Sequence, residues 1–131
     1  MEQLKKYKII RKKLVKAFSR LENSLEQELN EYIQDSVIQR FEFTFELLWK
    51  TLKIYLLIQG FDEKTPRWVL KKSFEISLIE DIDLFIDMID IRNLTSHTYN
   101  EELAEDVYEF IKKNHKEIWK VIEKLVSDDI D

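Results

Sequence analysis

The chain has 131 residues, 44% of them apolar and 36% charged, with one glycine, one proline and no cysteine. That balance suits a single compact domain over residues 1–131, able to bury roughly two thirds of its unfolded surface, and argues against disorder. The missing cysteines exclude disulfides, thiolate nucleophiles and cysteine-ligated zinc, while a net charge of −5 speaks against a general coat for nucleic acid.

With so few turn residues, long helices joined by short links are expected. The first is read from Glu2 to Leu29, because Leu4, Tyr7, Leu14, Phe18, Leu21 and Leu25 recur at helical spacing and make one apolar stripe. Residues 1–20 also hold eight Lys/Arg against the single Glu2. Such a stripe is ordinarily a solvated face, but it can act as a local rail for phosphates or an acidic partner. A link over Asn30–Asp35 leads to a second helix from Ser36 to Gln59, with Asp35 or Ser36 as its cap. Val37, Phe41, Phe45, Leu48, Leu52 and Tyr55 form one stripe on it, and Phe43, Leu47, Ile54 and Ile58 a second. A helix apolar on two sides is either central or part of a subunit interface, and the interface is the preferred reading.

Gly60 supplies a left-handed position to end that helix. Thr65-Pro66 starts the third, with Thr as N-cap and Pro at the first helical position. The chain turns around Leu78–Asp81, and a fourth helix carries Ile82, Phe85, Met88, Ile89 and Ile91. The last helix, Glu101 to Ser127, repeats the amphipathic pattern. The expected fold is all-α, an up-and-down bundle of four to five helices. No apolar run is long enough to span a bilayer, and no signal-peptide segment follows the charged N-terminus, so a cytoplasmic protein without membrane contact is expected.

For chemistry, one glycine leaves no phosphate-cradling loop, and two histidines without cysteine make none of the usual zinc sets. Neither a metal nor a cofactor is therefore expected. Asp83, Asp87 and Asp90 share one helix stripe, which is ordinarily solvated but could hold Mg²⁺ with phosphates. Trp68, with Arg67 beside it and Lys71 and Lys72 a turn later, could stack a base next to phosphate contacts; a tryptophan there is more often core. His115, in KKNHKE, reads as a surface residue.

The stretch RNLTSHTY, residues 92–99, differs from its helical surroundings. In an unbroken helix Arg92 and His97 would lie about 500° and about 7.5 Å apart, pointing in different directions. They converge only if the helix stops between them, for which Thr95-Ser96 is a suitable place. Thr98 with Glu101, or Asn100, can then cap the last helix. An arginine fork matches phosphate oxygens, and a histidine titrates near neutrality. Cleavage of RNA can use its own 2′-hydroxyl as nucleophile, with no metal required. One histidine supplies only the base or the acid; a two-fold dimer would supply both.

Arg92 to His97 resembles the R-x4-6-H signature of HEPN domains, extended here to R-x4-H-x-Y by Tyr99. The segments DSVIQRFEFTFELLWKTLK (35–53) and TPRWVLKKSF (65–74) resemble the nucleotidyltransferase substrate-binding protein family, which belongs with the HepT-like toxins. The resemblance covers residues 1 to 127 and implies a HEPN-like bundle that forms a homodimer and works beside a small MNT-type nucleotidyltransferase. It also implies one of two functions. One is a metal-independent ribonuclease toxin, with Arg92 on the phosphate, His97 as acid/base residue and Tyr99 as the hydroxyl to which the partner transfers AMP as a silencing mark. The other is a non-catalytic subunit that presents substrate to the nucleotidyltransferase. Asn93 would either orient the site or make a local helix-ending hydrogen bond, and the basic surface left for RNA is the stripe on the first helix with the cluster of Arg67, Lys71 and Lys72.

Overall fold

Five helices carry the chain: α1 (Glu2–Leu25), α2 (Glu31–Ile58), α3 (Pro66–Glu75), α4 (Ile82–Leu94) and α5 (Glu101–Ser127). A short 3-10 turn, Thr95–His97, follows α4 directly. The structure, a computed structural model, describes residues 1–128; the acidic end at 129–131 lies outside the described residues. No strand occurs among the described residues, and no described helix is long and apolar enough to cross a membrane. The all-α bundle expected from the helical spacing is the observed fold.

The first link differs from the sequence reading. Helix α1 stops at Leu25, short of Leu29, and α2 begins at Glu31 rather than Ser36. The reason is Asn30, whose side chain accepts a hydrogen bond from the Ile33 N–H at 2.9 Å. An asparagine in extended conformation satisfies an otherwise orphaned donor at the helix start, so the cap falls there and not at Asp35 or Ser36. Ile33 then reaches the edge of the core, while Tyr32 and Asp35 are exposed.

Helix α2 is the centre of the bundle and packs against α1, α3, α4 and α5. Its first stripe, Val37, Phe41, Phe45, Leu48, Leu52 and Tyr55, is buried. Two threonines on the buried side, Thr44 and Thr51, return their hydroxyl protons to the carbonyls of Arg40 and Leu47 at 2.6 and 2.5 Å. Those local bonds remove the cost of burying a hydroxyl without a partner. Of the second stripe, Leu47, Ile54 and Ile58 pack partly against the same core. Only Phe43, 62% exposed, stands clear. Centrality thus accounts for most of the apolar surface from which a subunit interface was read.

Helices α2 and α3 end in the same way. After α2, the Phe61 N–H reaches the Leu56 carbonyl (2.8 Å) and the Gly60 N–H the Leu57 carbonyl (3.1 Å), with Gly60 at φ +95°. After α3, the Leu78 N–H reaches the Ser73 carbonyl (2.8 Å) and the Ser77 N–H the Phe74 carbonyl (3.0 Å), with Ser77 at φ +70°. Both are Schellman closures, which satisfy terminal carbonyls through one left-handed residue. The starts are equally local. Thr65 accepts from the Trp68 N–H, Asp81 from the Leu84 N–H and Asn100 from the Leu103 N–H. Of the two caps anticipated for α5, Asn100 is the one used.

The end of α5 is tied back to α1. The Leu125 carbonyl accepts from the Tyr7 hydroxyl (3.4 Å) and from Arg11 Nη1 (3.1 Å), which places a positive charge at the negative end of the helix. The Arg11 guanidinium also lies 5.1 Å over the Tyr7 ring, and Tyr7 packs 5.8 Å from Tyr55. The Tyr55 hydroxyl donates to Asp128 at 2.5 Å. Burial, reinforced by the Asp128 carboxylate, pushes the Tyr55 phenol well above its usual range. Burial also raises Tyr7, against the opposing pull of Arg11.

Candidate functional site

The junction between α4 and α5 is shaped by two carboxylates one helical turn apart on α2. Glu46 Oε1 accepts from Arg92 Nε at 2.7 Å, and Glu42 Oε2 accepts from the Thr95 hydroxyl at 2.7 Å. The Thr95 oxygen also lies 2.7 Å from the Arg92 carbonyl. A hydroxyl has one proton, so these two acceptors share it, and the ionised carboxylate is the stronger. Thr95 is buried. Once its hydroxyl is occupied in this way, α4 tightens into the 3-10 turn rather than continuing towards α5.

That break turns His97 out of the helix. Its ring meets the ring of Tyr99 edge-on, centroids 6.2 Å apart and planes at 73°. Both residues are exposed, Tyr99 by 85%. Thr98 donates to the Thr95 carbonyl at 2.9 Å and closes the turn, while the Ser96 hydroxyl returns to the Asn93 carbonyl at 3.3 Å. Asn93 itself is exposed. An open depression of about 350 Å³ beside the turn is lined by Asp35, Ile38, Gln39, Glu42, Thr95, Thr98 and Tyr99. The structure therefore brings His97 and Tyr99 together and seats Arg92 on α2.

Glu42 and Glu46 are neighbours of the candidate site that the sequence reading does not single out, and Thr95 enters it only as part of the helix break at Thr95-Ser96. A signal for the two glutamates exists: four residues apart, they share a face of a helix otherwise made of large apolar side chains. Nothing in the linear order links that face to Arg92.

The other candidates are distributed elsewhere. Trp68, expected in the core, is 57% exposed, because the buried face of α3 is supplied by Val69, Leu70 and Ser73. Lys71 Nζ lies 4.9 Å over its ring and Arg67 is exposed beside it. Lys72 is already engaged, 2.7 Å from Glu75 and 4.7 Å over the Phe61 ring; the hydrogen bond to Glu75 raises its pKa. His115 is not a surface residue. Its side chain is 11% exposed, packs against the Phe18 ring at 6.2 Å and has Nδ1 3.2 Å from the Ile111 carbonyl. Asp83, Asp87 and Asp90 are exposed, and no group of three or more His, Asp or Glu among the described residues is arranged to hold a metal ion.

Residues 11–127 match the family described as nucleotidyltransferase substrate binding protein like. Over 85 residues the chain is 33% identical to a Haemophilus influenzae protein named probable ribonuclease HepT, and the match spans 58% of each chain. It thus covers little more than half of that relative. A crystal structure from Thermus thermophilus superposes with a TM-score of 0.80 at 34% identity, covering 86% of this chain and 98% of that one. A second structure, from Haemophilus influenzae and described as the fold of a substrate binding domain of a nucleotidyltransferase, gives 0.81 at 27% identity over 89% and 99%.

Proposed function

Because the chain belongs to the nucleotidyltransferase substrate binding protein-like family, we propose that it acts as a HepT-like endoribonuclease. In this reading it is the toxin of a pair whose other member is an MNT-type nucleotidyltransferase. The observation that carries the reading is the exposed His97–Tyr99 ring pair, set by a 3-10 turn immediately after an arginine held from α2. A proton-transfer group and a phosphate fork then belong to one accessible junction.

The chemistry is that of 2′-hydroxyl attack. His97 takes the 2′-proton, or gives one to the departing 5′-oxygen, and Arg92 holds the phosphate as charge gathers on its oxygens. The products are 2′,3′-cyclic phosphate and 5′-hydroxyl ends, and the reaction requires no metal. Both proton transfers proceed when a two-fold homodimer faces one junction with the other. The exposed Tyr99 hydroxyl is the acceptor of AMP from the partner, with pyrophosphate leaving from ATP, and the bulky anion then blocks the cleft.

A second reading, a non-catalytic subunit that presents substrate to a nucleotidyltransferase, is favoured by the description of the superposing Haemophilus influenzae structure. RNA cleavage in EDTA separates the two, with Tyr99 first verified as unmodified by mass spectrometry. Cyclic phosphate ends that disappear with His97→Ala and persist with Tyr99→Phe are expected. Intact RNA with the unmodified, dimeric protein would favour the substrate-binding subunit.

A further inference from the structure

Arg92 meets Glu46 through Nε, the inner edge of the guanidinium, and not through its terminal amino groups. This geometry has a consequence for an arginine meant to hold phosphate. The carboxylate occupies one side of the planar fork, and among the described residues the Nη1 and Nη2 hydrogens of Arg92 make no hydrogen bond. Those hydrogens match two oxygens of a phosphodiester.

We propose that Glu46 is a positioning residue for Arg92, holding the guanidinium side-on so that its terminal amino groups receive the scissile phosphate. The inference rests on the ribonuclease reading above and deepens it. Glu46 is itself restrained: its second oxygen accepts from Trp49 Nε1 at 3.3 Å and has Lys50 Nζ at 3.8 Å. The lysine offsets part of the negative charge that would otherwise oppose an incoming phosphate. One turn earlier Glu42 pins Thr95, so the two α2 carboxylates hold both ends of the segment Arg92–Thr95. Arg92 and Glu46 are 32% and 31% exposed, which leaves the pair a small part in stability. Its effect is to remove rotamer freedom from a long side chain before substrate arrives.

The test combines steady-state cleavage of a short RNA with NMR of the Arg92 side chain. Glu46→Ala is expected to lower kcat roughly tenfold with KM unchanged or lower, since a negative charge is lost while the phosphate contact is less well aimed. Glu46→Gln, whose amide oxygen can still accept from Nε–H, is expected to stay within about threefold of the unsubstituted protein. Placed in an Arg92→Ala background, Glu46→Ala should add no further loss. A full kcat for Glu46→Ala, or an undiminished loss in the Arg92→Ala background, would overturn the assignment. If the unmodified protein cleaves no RNA, the ribonuclease reading fails separately, and the inference is decided by NMR. Slow exchange of the Arg92 Nε–H, and its perturbation by a 2′-deoxy oligonucleotide, should be present in the unsubstituted protein and in Glu46→Gln and absent in Glu46→Ala. Fast exchange in the unsubstituted protein, or no response to the oligonucleotide, sinks it.

Discussion

Two polar networks meet the central helix, one at its middle and one near its C-terminal end, and both contain an arginine and a carboxylate. At the middle of α2, Glu42 and Glu46 hold Thr95 and Arg92, and the arginine is about one-third exposed. Near its C-terminal end, Tyr55 joins Asp128 while Tyr7 and Arg11 close on the last turn of α5. In the second network the arginine spends its reach on a backbone carbonyl and an aromatic face, and burial raises both phenols above their usual pKa. In the first, the arginine is fixed along one edge and available along the other. The same residue types therefore make a closed clasp in one place and, on the reading proposed above, a phosphate receptor in the other. The two histidines repeat the contrast: His115 is packed on Phe18, whereas His97 is turned outward at the junction.

The strongest way to break this contrast is to exchange the roles of the histidines. His97→Ala is expected to lower RNA cleavage by at least about a hundredfold, the usual contribution of a general acid or base, with little change in thermal stability. His115→Ala should do the reverse, leaving cleavage near its starting value and costing about 1–2 kcal/mol in a denaturant titration. A loss of cleavage with His115→Ala at preserved stability would erase the distinction.

The arginines give the next largest separation. Arg11→Ala removes a charged donor from the Leu125 carbonyl and a cation from the Tyr7 ring. It should cost about 1–2 kcal/mol of unfolding free energy and leave catalysis alone. Arg92→Ala should cost less than about 1 kcal/mol, as partly exposed ion pairs do, while RNA cleavage, on the reading proposed above, falls sharply.

Alkaline titration sharpens the same contrast with a smaller effect. Tyr7 and Tyr55 keep their protons in the fold beyond the ordinary phenol value. The unfolded chain releases them near pH 10, so the stability they confer is whole below about pH 10 and falls as the pH rises further. Unfolding free energies measured from pH 8 to 11 should show that decline, and Tyr55→Phe should flatten it while costing about 1 kcal/mol at pH 7 for the lost hydrogen bond. An unchanged slope would mean that other groups dominate the alkaline limb.

Most of the fold is legible because helical spacing is a local property. The stripes on α1, α2 and α5, the Thr65-Pro66 start and the Gly60 stop are each written within a few residues. The first boundary is not, because Asn30 and Asp35 are equally good caps, and only the packing of Ile33 decides between them. Trp68 and His115 exchange their expected exposures for a related reason: a helix turns whichever side its neighbours can cover, and that choice is made in three dimensions. At the site, Arg92, His97 and Tyr99 are visible as a pattern. Glu46 is not, since it stands 46 residues before Arg92 and joins it only after α2 and α4 pack.

The two matching helix ends leave one asymmetry, smaller in energy than any of the effects above. Gly60 occupies its left-handed position freely, with nothing within 4 Å of where a Cβ would stand. Ser77 occupies the equivalent position with a side chain, at a cost of roughly 1 kcal/mol. Ser77→Gly should recover part of that by thermal denaturation, and Gly60→Ala should lose a similar amount through φ alone. The chain thus lies one substitution away from a more stable version of itself, at a helix end that supplies none of the residues of the α4–α5 junction.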